Sequence, residues 1–417
     1  MGSQNQLSAA QINQLARSAI KKSAVAMLQP IFSQTYGASA NTTDVSASQP
    51  VVNIPPRNVG LIRGFWIKVV VIYNNQSGEA ATLSDFGPAN IFSQIQFTDL
   101  NNNIRIQTTG WHINFINSIK AKRPYGTAII RGGSGATTGG WDSPINYGSN
   151  FTGQLPTTLT GITYAPQTIA SAASAANSTA TMWYYIPIAY SWEDFRGAIY
   201  ANVVNATMQL SLTFNPRSGV LATADSTNAV YTLASGATAS AFVAAQASIT
   251  VYQDYLDQLP VAQSGVLLPV LDLATIYELK NTTVTSVVPN QDFPIQYSNY
   301  RDFLSTLAVY VNTGSSGARA DGTDINYWAL QSANFTNLWK LEPGLAATRT
   351  RNAIQGDLPP GAYYFGSRDK PISTTQYGNM NLIINAITAG AGAYVALGWE
   401  DFAVVQTLSM AGSLAAS

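Results

Sequence analysis

The chain has 417 residues, of which 46% are hydrophobic and only 10% are charged, whereas soluble domains average roughly 25% charged residues. The 21 Lys and Arg residues balance the 21 Asp and Glu residues, and there is no cysteine. Disulfides, thiolate nucleophiles and zinc–thiolate sites are therefore excluded, and no basic excess favours a nucleic acid as a direct partner. Low and balanced charge instead predicts a protein that associates with itself.

The first predicted element is a short N-terminal amphipathic helix. A capping-box spacing begins at Ser8, an apolar stripe follows at helical period, and Pro30 is expected to mark the end of the helix. Three cations, Arg17, Lys21 and Lys22, lie along it. Two interpretations remain open: a helix packed on its own or a neighbouring subunit, or one lying on an anionic membrane surface, where each cation adds about 1 kcal/mol.

After the helix the pattern predicts a linker and then strands. Residues 33–49 are small, polar and aperiodic, as in a linker or arm. Runs rich in β-branched and aromatic residues, bounded by turn-forming clusters, then predict two sets of strands. The first set is 65–75, 93–98, 103–108, 180–188 and 207–214, and the second is 249–256, 273–279, 306–312, 361–366, 380–387 and 393–399. Helical periodicity between strands is rare, which favours an antiparallel sandwich or barrel.

The strand sets define a predicted domain organisation. Two stretches dominated by Gly, Ser, Thr and Ala, 126–179 and 216–246, are predicted to be long exposed loops. Pro260 and Gly265 punctuate the pattern between the sets. We therefore predict an N-terminal helix and arm over 1–48, a first β domain with surface insertions over 49–259, and a second β domain with a C-terminal tail over 260–417. The strand–turn runs VVVIYNNQSG and LAVYVNTGSSG favour a repeated unit.

The single histidine is the first candidate for catalysis. His112 lies in the run TGWHINF, with no carboxylate beside it and no second histidine to complete a metal site. A Ser-His-Asp triad cannot be excluded by counting, but the nucleophile elbow G-x-S-x-G is missing. Trp111, Ile113 and Phe115 surround His112 with apolar bulk. The pattern favours a structural ring over a general base.

Three short motifs resemble known sites and fail on their details. Residues 99–104 (DLNNNI) begin like a calcium loop, but Ile104 occupies the position that requires glycine, so a polar hairpin turn is predicted. Residues 131–140 have the glycine content of a phosphate loop without its Lys-Ser/Thr. Ser18 and Lys21 match S-x-x-K without the partner motifs. No metal, cofactor or nucleotide site is predicted.

Acidic pairs and tryptophans leave two further functions open. Glu193 with Asp194, or Asp321 with Asp324, could serve a glycosidase if they faced each other across a cleft. Tryptophans could also form a platform on which sugars stack, as in a β-sandwich glycan-binding module or adhesin. Those considered are Trp66, Trp183, Trp328 and Trp339. Most lie in strand-like runs, where aromatic side chains more often fill a core or an interface.

Long blocks of the chain resemble one family. They are NVGLIRGFWIKV (58–69), LSDFGPANI (83–91), TTGWH (108–112), DSPINYG (142–148), IPIAYSWEDFRGAIYANV (186–203), VYQDYLDQLPV (251–261), LLPVLDLATIYELKN (267–281), GTDINYWALQSANFTN (322–337) and RDKPISTTQYGN (368–379). Together, in this order, they resemble the major capsid protein of tectiviruses, tailless icosahedral bacteriophages with a membrane beneath the protein shell.

The resemblance implies an all-β fold, a double jelly roll with two eight-stranded antiparallel β-barrels per chain and a short N-terminal helix. It implies a structural, non-enzymatic capsid subunit that forms pseudo-hexagonal homotrimers tiling the shell around an internal viral membrane. Expected partners are neighbouring trimers, vertex and minor capsid proteins, and the membrane, which the N-terminal helix would face through Arg17, Lys21 and Lys22. The N-terminus lacks the apolar core of a secretory signal, so synthesis and folding in the host bacterial cytoplasm are expected before incorporation into the virion.

Overall fold

The computed structural model of the chain describes fifteen segments. They are 9–37, 50–84, 87–121, 168–172, 177–192, 194–202, 207–215, 229–234, 236–259, 275–297, 302–313, 318–319, 324–354, 361–366 and 371–404. Strands dominate these segments, and the helices are α1 (Ala9–Ser23), α2 (Gly110–Ala121), α3 (Pro343–Ile354) and α4 (Thr374–Tyr377).

The strands fall into two sets in chain order. The first set is β1 (Val25–Tyr36), β2 (Val51–Ile54), β3 (Leu61–Asn75), β4 (Ala81–Leu83), β5 (Phe92–Thr98), β6 (Ile104–Thr108), β7 (Thr168–Ile169), β8 (Asn177–Pro187), β9 (Ile199–Tyr200), β10 (Gln209–Phe214), β11 (Tyr231–Leu233) and β12 (Phe242–Asp257). The second set is β13 (Thr275–Thr285), β14 (Asp292–Gln296), β15 (Asp302–Thr313), β16 (Ala318–Arg319), β17 (Ile325–Ser332), β18 (Trp339–Leu341), β19 (Ala362–Gly366), β20 (Met380–Ala386) and β21 (Tyr394–Val404).

Each set builds the same pair of sheets. In the first half, four strands pair in the order β1-β12-β3-β8 and four in the order β2-β10-β5-β6. In the second half the orders are β13-β21-β15-β19 and β14-β20-β17-β18. The eight strands in these two orders are called the main strands of their half. Numbered in chain order within each half, they pair as first-eighth-third-sixth and second-seventh-fourth-fifth in both halves. This is the connectivity of a jelly roll, and it occurs twice. The fold is a double jelly roll, as predicted.

Alternating side chains explain why the sheets close over cores. Along β3, Phe65, Ile67, Val69, Val71 and Tyr73 are fully buried, and the residues between them are partly exposed. This period of two places one face of the strand in the core. The strand-like part of VVVIYNNQSG lies in β3 and that of LAVYVNTGSSG in β15, and both are the third main strand of their half. The predicted repeat is therefore structural.

The N-terminal region differs from its prediction. The helix ends at Ser23, and Pro30 lies inside β1, where the pairing with β12 shifts register between Pro30 and Phe32. Residues 33–36 also belong to β1, so the predicted arm contains the first strand of a jelly roll. Proline is tolerated there because β1 is an edge strand, where a missing N–H need not break a ladder.

The predicted antiparallel pairing has one exception, and the predicted loops are partly ordered. Strand β6 pairs in parallel with β13 through Ile106 with Leu279 and Gln107 with Lys280. Strand β12 begins at Phe242, inside the predicted loop 216–246, because small residues such as Ala244 and Ala247 fit a buried strand. Of the other predicted loop, residues 126–167 and 173–176 lie outside the described residues.

Candidate functional site

Helix α2 lies at the junction between the two halves. It follows β6, and its residues Trp111, His112, Ile113 and Phe115 are all buried. The Phe115 ring lies 5.8 Å from the Tyr364 ring of the second half. The core that contains α2 therefore includes side chains of both halves. Together with the parallel β6–β13 pair, this shared core joins the two jelly rolls into one unit.

A charged cluster, here called the junction cluster, lies beside α2. It consists of Lys120 from α2, Tyr190, and Tyr277, Ser305 and Glu400 from the second half. Lys120 Nζ donates to the Tyr277 hydroxyl at 2.6 Å and lies 3.5 Å from Glu400 Oε2. The same carboxylate accepts from Tyr277 at 2.6 Å and from Ser305 at 2.7 Å.

Aromatic rings and burial shape the electrostatics of the junction cluster. Lys120 Nζ lies 4.3 Å from the ring centroid of Tyr190 and 4.1 Å from that of Tyr277, a cation–π geometry. Burial lowers the pKa of Lys120 to about 8, against the opposing attraction of Glu400. Burial, reinforced by Glu400, raises the pKa of Tyr277 well above its usual value. The cluster therefore links side chains of both halves through an ion pair and hydrogen bonds.

The tetrapeptide WEDF occurs twice, at 192–195 and 399–402, and described side chains of both copies lie near this cluster. In the first, Asp194 pairs with Arg196, whose guanidinium lies 4.3 Å from the ring of Phe402 in the second copy. The second copy supplies Glu400. The first copy follows β8, the sixth main strand of its half, whereas the second lies in β21, the eighth. The tetrapeptides therefore occupy non-equivalent positions and are not part of the structural repeat.

His112 is a buried structural ring, as predicted. Its Nδ1 shares a 2.7 Å hydrogen bond with Thr108 Oγ1, and its Nε2 makes no hydrogen bond. Burial, helped by Lys120, lowers the pKa of His112 to about 3, so the ring is neutral at physiological pH. It packs directly on Gly398 of β21, where an added Cβ would lie 2.3 Å from the ring. No exposed nucleophile can reach a ring sealed in this way.

The calcium-like run 99–104 forms a turn and not a cation site. Asp99 accepts from the backbone N–H groups of Asn101 at 2.8 Å and Asn103 at 3.0 Å, and Arg105 bonds its second oxygen at 2.6 Å. The run 99–104 is therefore the predicted hairpin turn, with its carboxylate already occupied. The glycine-rich run 131–140 lies outside the described residues. Among the residues that are described, no cluster of His, Asp and Glu has metal-binding geometry.

Of the two candidate acidic pairs, the structure describes one carboxylate each. Glu193 and Asp321 lie outside the described residues. Asp194 is bound to Arg196 at 2.5 Å. Asp324 accepts hydrogen bonds from Thr388 and, at 3.2 Å, from Asn312, which ties three connections together at one end of the second half.

The four tryptophans considered for a sugar platform do not form an exposed one. Trp328 is fully buried, and Trp66, Trp183 and Trp339 are partly buried. Within the described segments, Trp192 alone has a largely exposed ring, at 46%. Stacking partners are other aromatic side chains of the protein, such as Phe365, 4.8 Å from Trp339. These tryptophans serve packing, as their strand context predicted.

The helix α1 packs on the first half through Ile20. Ile20 is buried against Leu61, Phe195 and Leu256. Arg17, Lys21 and Lys22 all lie within α1, and the Lys22 side chain is exposed. Neither α1 nor any other helix in the described ranges has the length and apolarity needed to cross a bilayer.

Comparison with known proteins identifies the family. The model of the P3 major capsid protein N-terminal region matches residues 3–259, and that of the P3 major capsid protein C-terminal region matches residues 274–416. The chain is 37% identical over 403 residues to the major capsid protein P3 of Enterobacteria phage PRD1, covering 96% of this chain and 93% of that protein.

Solved structures share the fold at low sequence identity. The major capsid protein of Sulfolobus Turreted Icosahedral Virus superimposes with a TM-score of 0.59 at 11% identity, covering 93% of this chain and 98% of that chain. The VP54 capsid protein of the virus PBCV-1 superimposes with a TM-score of 0.52 at 10% identity, covering 91% and 94%. The twofold jelly-roll topology is thus that of viral capsid proteins. This chain belongs to the P3 major capsid protein family, and it is a structural capsid protein.

Proposed function

We propose that the chain forms homotrimers with a pseudo-hexagonal outline, which tile an icosahedral shell around an internal membrane. The observation that carries this proposal is the repeat of one strand order in two halves joined side by side. Three such chains arranged about a threefold axis place six similar jelly rolls in a ring. Hexagonal outlines tile a surface, so each edge of a trimer can meet a similar edge of its neighbour.

Composition supports close packing of trimers. Only 10% of the residues are charged and the formal net charge is zero, so neighbouring trimers meet little long-range repulsion. Weak contacts are sufficient, because many act together across a closed lattice. Vertex and minor capsid proteins are the remaining protein partners in this proposal.

The chain is proposed to be purely structural. We propose three parts for this role: a helix and arm over 1–48, a first jelly roll over 49–259 and a second over 260–417. Strand β1 (Val25–Tyr36) lies within the first range but is paired with the first jelly roll and is counted with it. We propose that the chain has no enzymatic activity, binds no cofactor and makes no direct contact with nucleic acid. Synthesis and folding take place in the host bacterial cytoplasm, and the mature location is the virion shell.

The helix α1 is proposed to face the membrane through Arg17, Lys21 and Lys22. Support comes from the exposed Lys22 and Leu15 on a helix that Ile20 anchors to the first half. The test is flotation of the purified chain with vesicles that contain anionic phospholipid. Replacing the three cations with Ala should weaken binding roughly 100-fold, since each contributes about 1 kcal/mol. Equal binding of both proteins, or equal binding to purely zwitterionic vesicles, would contradict the membrane role.

Sedimentation velocity of the purified chain tests the trimer. A single species with the mass of three 44.4 kDa chains is expected at micromolar concentration. A 44.4 kDa monomer under the same conditions would contradict the proposal.

A further inference from the structure

The internal repeat gives α2 a counterpart in the second half. Helix α2 connects β6 to the strands that lead to β8, the fifth and sixth main strands of the first half. Helix α3 connects β18 to β19, which are fifth and sixth in the second half. The two helices therefore occupy the same position in two copies of one fold.

The two helices differ in what covers them. Helix α2 is buried between the halves, with Trp111 and Phe115 inaccessible to solvent. Most of helix α3 is exposed. One exposed face is formed by Leu345, at 52% exposure, together with Arg349 and Asn352, which follow at helical spacing. A position that is covered in one half is thus open in the other.

Beside the exposed face of α3 lies an open cleft of about 310 Å³, here called the α3 cleft. Its walls include Trp339 of β18 and Phe365 of β19, whose rings stack with centroids 4.8 Å apart. Arg349 and Asn352 line its helical side. The cleft combines an aromatic wall, donors for carbonyl oxygens and a neighbouring exposed leucine, a composition typical of protein interfaces.

The repeat also indicates what should cover the α3 cleft. In the first half, α2 and β6 are covered by β13 and the sheet that β13 begins. Strand β13 is the first main strand of the second half, and its counterpart is β1. Strand β13 pairs on both sides, with β21 and β6. Strand β1 pairs with β12, and its other edge has no strand partner among the described residues.

Strand β1 has the properties of an edge that is buried in an assembly. Its twelve residues, VAMLQPIFSQTY, include no charged side chain, although charge is a common protection of exposed edge strands. Val25 and Leu28 are exposed, Leu28 at 56%. A long uncharged edge of this kind would promote uncontrolled association if it stayed open.

We propose that the β1 edge of one copy packs on α3 and the α3 cleft of the next copy, in the arrangement that joins the two halves within one chain. The inference rests on the proposed homotrimer and names its contact surfaces. First half joins second half within a chain, and second half joins first half between chains. Three repeats of this alternation close a ring of six jelly rolls in which every β1 edge and every α3 cleft is covered. Arg349 and Asn352 then donate to main-chain carbonyls along the free edge of β1.

Cysteine cross-linking tests the contact directly, because the chain has no native cysteine. The full-length chain carrying Leu28→Cys and Leu345→Cys is treated with a short bismaleimide. We expect covalent dimers and trimers. Chains that carry only one of the two cysteines should form neither product. The matched control pairs Leu345→Cys with Val51→Cys, which is equally exposed at 54% but lies on β2, away from the proposed contact. The control should cross-link far less.

Charge insertion gives an independent reading. Leu28→Glu should shift the chain from trimer to monomer in sedimentation velocity, while Val51→Glu leaves the trimer intact. A second pair of variants probes the α3 surface. Asn352→Trp fills the α3 cleft and should dissociate the trimer. Ala347→Trp lies on another exposed face of α3 and should leave the trimer intact. A wild-type trimer that tolerates both Leu28→Glu and Asn352→Trp and gives no cross-link overturns the inference alone. A wild-type monomer overturns the proposed trimer as well.

Discussion

Replacing Lys120 with Met tests whether the junction cluster holds the two halves together. The methionine keeps the apolar stem that lies between the rings of Tyr190 and Tyr277 and removes the charge. Glu400 then stays buried without its cation, although it keeps the hydrogen bonds from Tyr277 and Ser305. The substitution therefore removes the charge of Lys120 and its hydrogen bond to Tyr277 while it keeps most of the packing.

The expected loss follows from what Glu400 retains. Breaking a buried ion pair by removing one partner costs about 3–5 kcal/mol, and the two remaining hydrogen bonds place this case near about 3 kcal/mol. Glu400→Gln alone should also destabilise, because it leaves the Lys120 ammonium without a counter-charge. The double variant removes both charges together. Its loss should fall short of the sum of the single losses by about 2 kcal/mol.

The assay is urea unfolding of the four proteins at one fixed concentration, followed by circular dichroism. The concentration is held constant because association contributes to the apparent stability of an oligomer. If the two single losses sum to the loss of the double variant within about 0.5 kcal/mol, Lys120 and Glu400 do not interact. That result would refute the role assigned to the cluster.

Three further substitutions probe the junction and α1. Gly398→Ala should cost about 1–3 kcal/mol, because its Cβ would meet the buried His112 ring, whereas Gly344→Ala, which has open space on α3, should be neutral or slightly stabilising in the same unfolding assay. The pKa of His112 is lowered from 6.5 to about 3, so its contribution is constant above pH 6.5 and stability falls below it, by about 2 kcal/mol at pH 5. In His112→Gln, the free energy of unfolding should fall less steeply below pH 6.5. An unchanged fall would contradict the assigned burial. Ile20→Ala should release α1 to proteolysis within its own sequence, whereas the exposed Leu15→Ala should not; equal cleavage of both would contradict the docking of α1.

The strand content could be predicted from sequence because it depends on local alternation. In β10 (QLSLTF), apolar and polar residues alternate along the strand, and the structure buries every second side chain. The division into two sets and the turn at 99–104 followed from the same local signals. The resemblance to a capsid family supplied the topology, which alternation alone does not determine.

The elements that were missed depend on contacts between distant residues. Helix α2 has apolar side chains on several faces because both halves cover it, so it has no one-sided stripe that would mark it as a helix. Strand β1 contains Pro30 and a polar run from Ser33 to Thr35, and its pairing with β12, more than two hundred residues away, decides its conformation. The junction cluster joins Lys120, in the first half, to Glu400, in the last strand of the second half. No sequence spacing indicates that pair.

Electron cryomicroscopy of the purified, assembled chain tests the central claim most directly. The account predicts a closed ring of six jelly rolls with threefold symmetry, in which contacts within a chain alternate with contacts between chains. An isolated single chain, or a twofold assembly that leaves β1 and α3 uncovered, would contradict it.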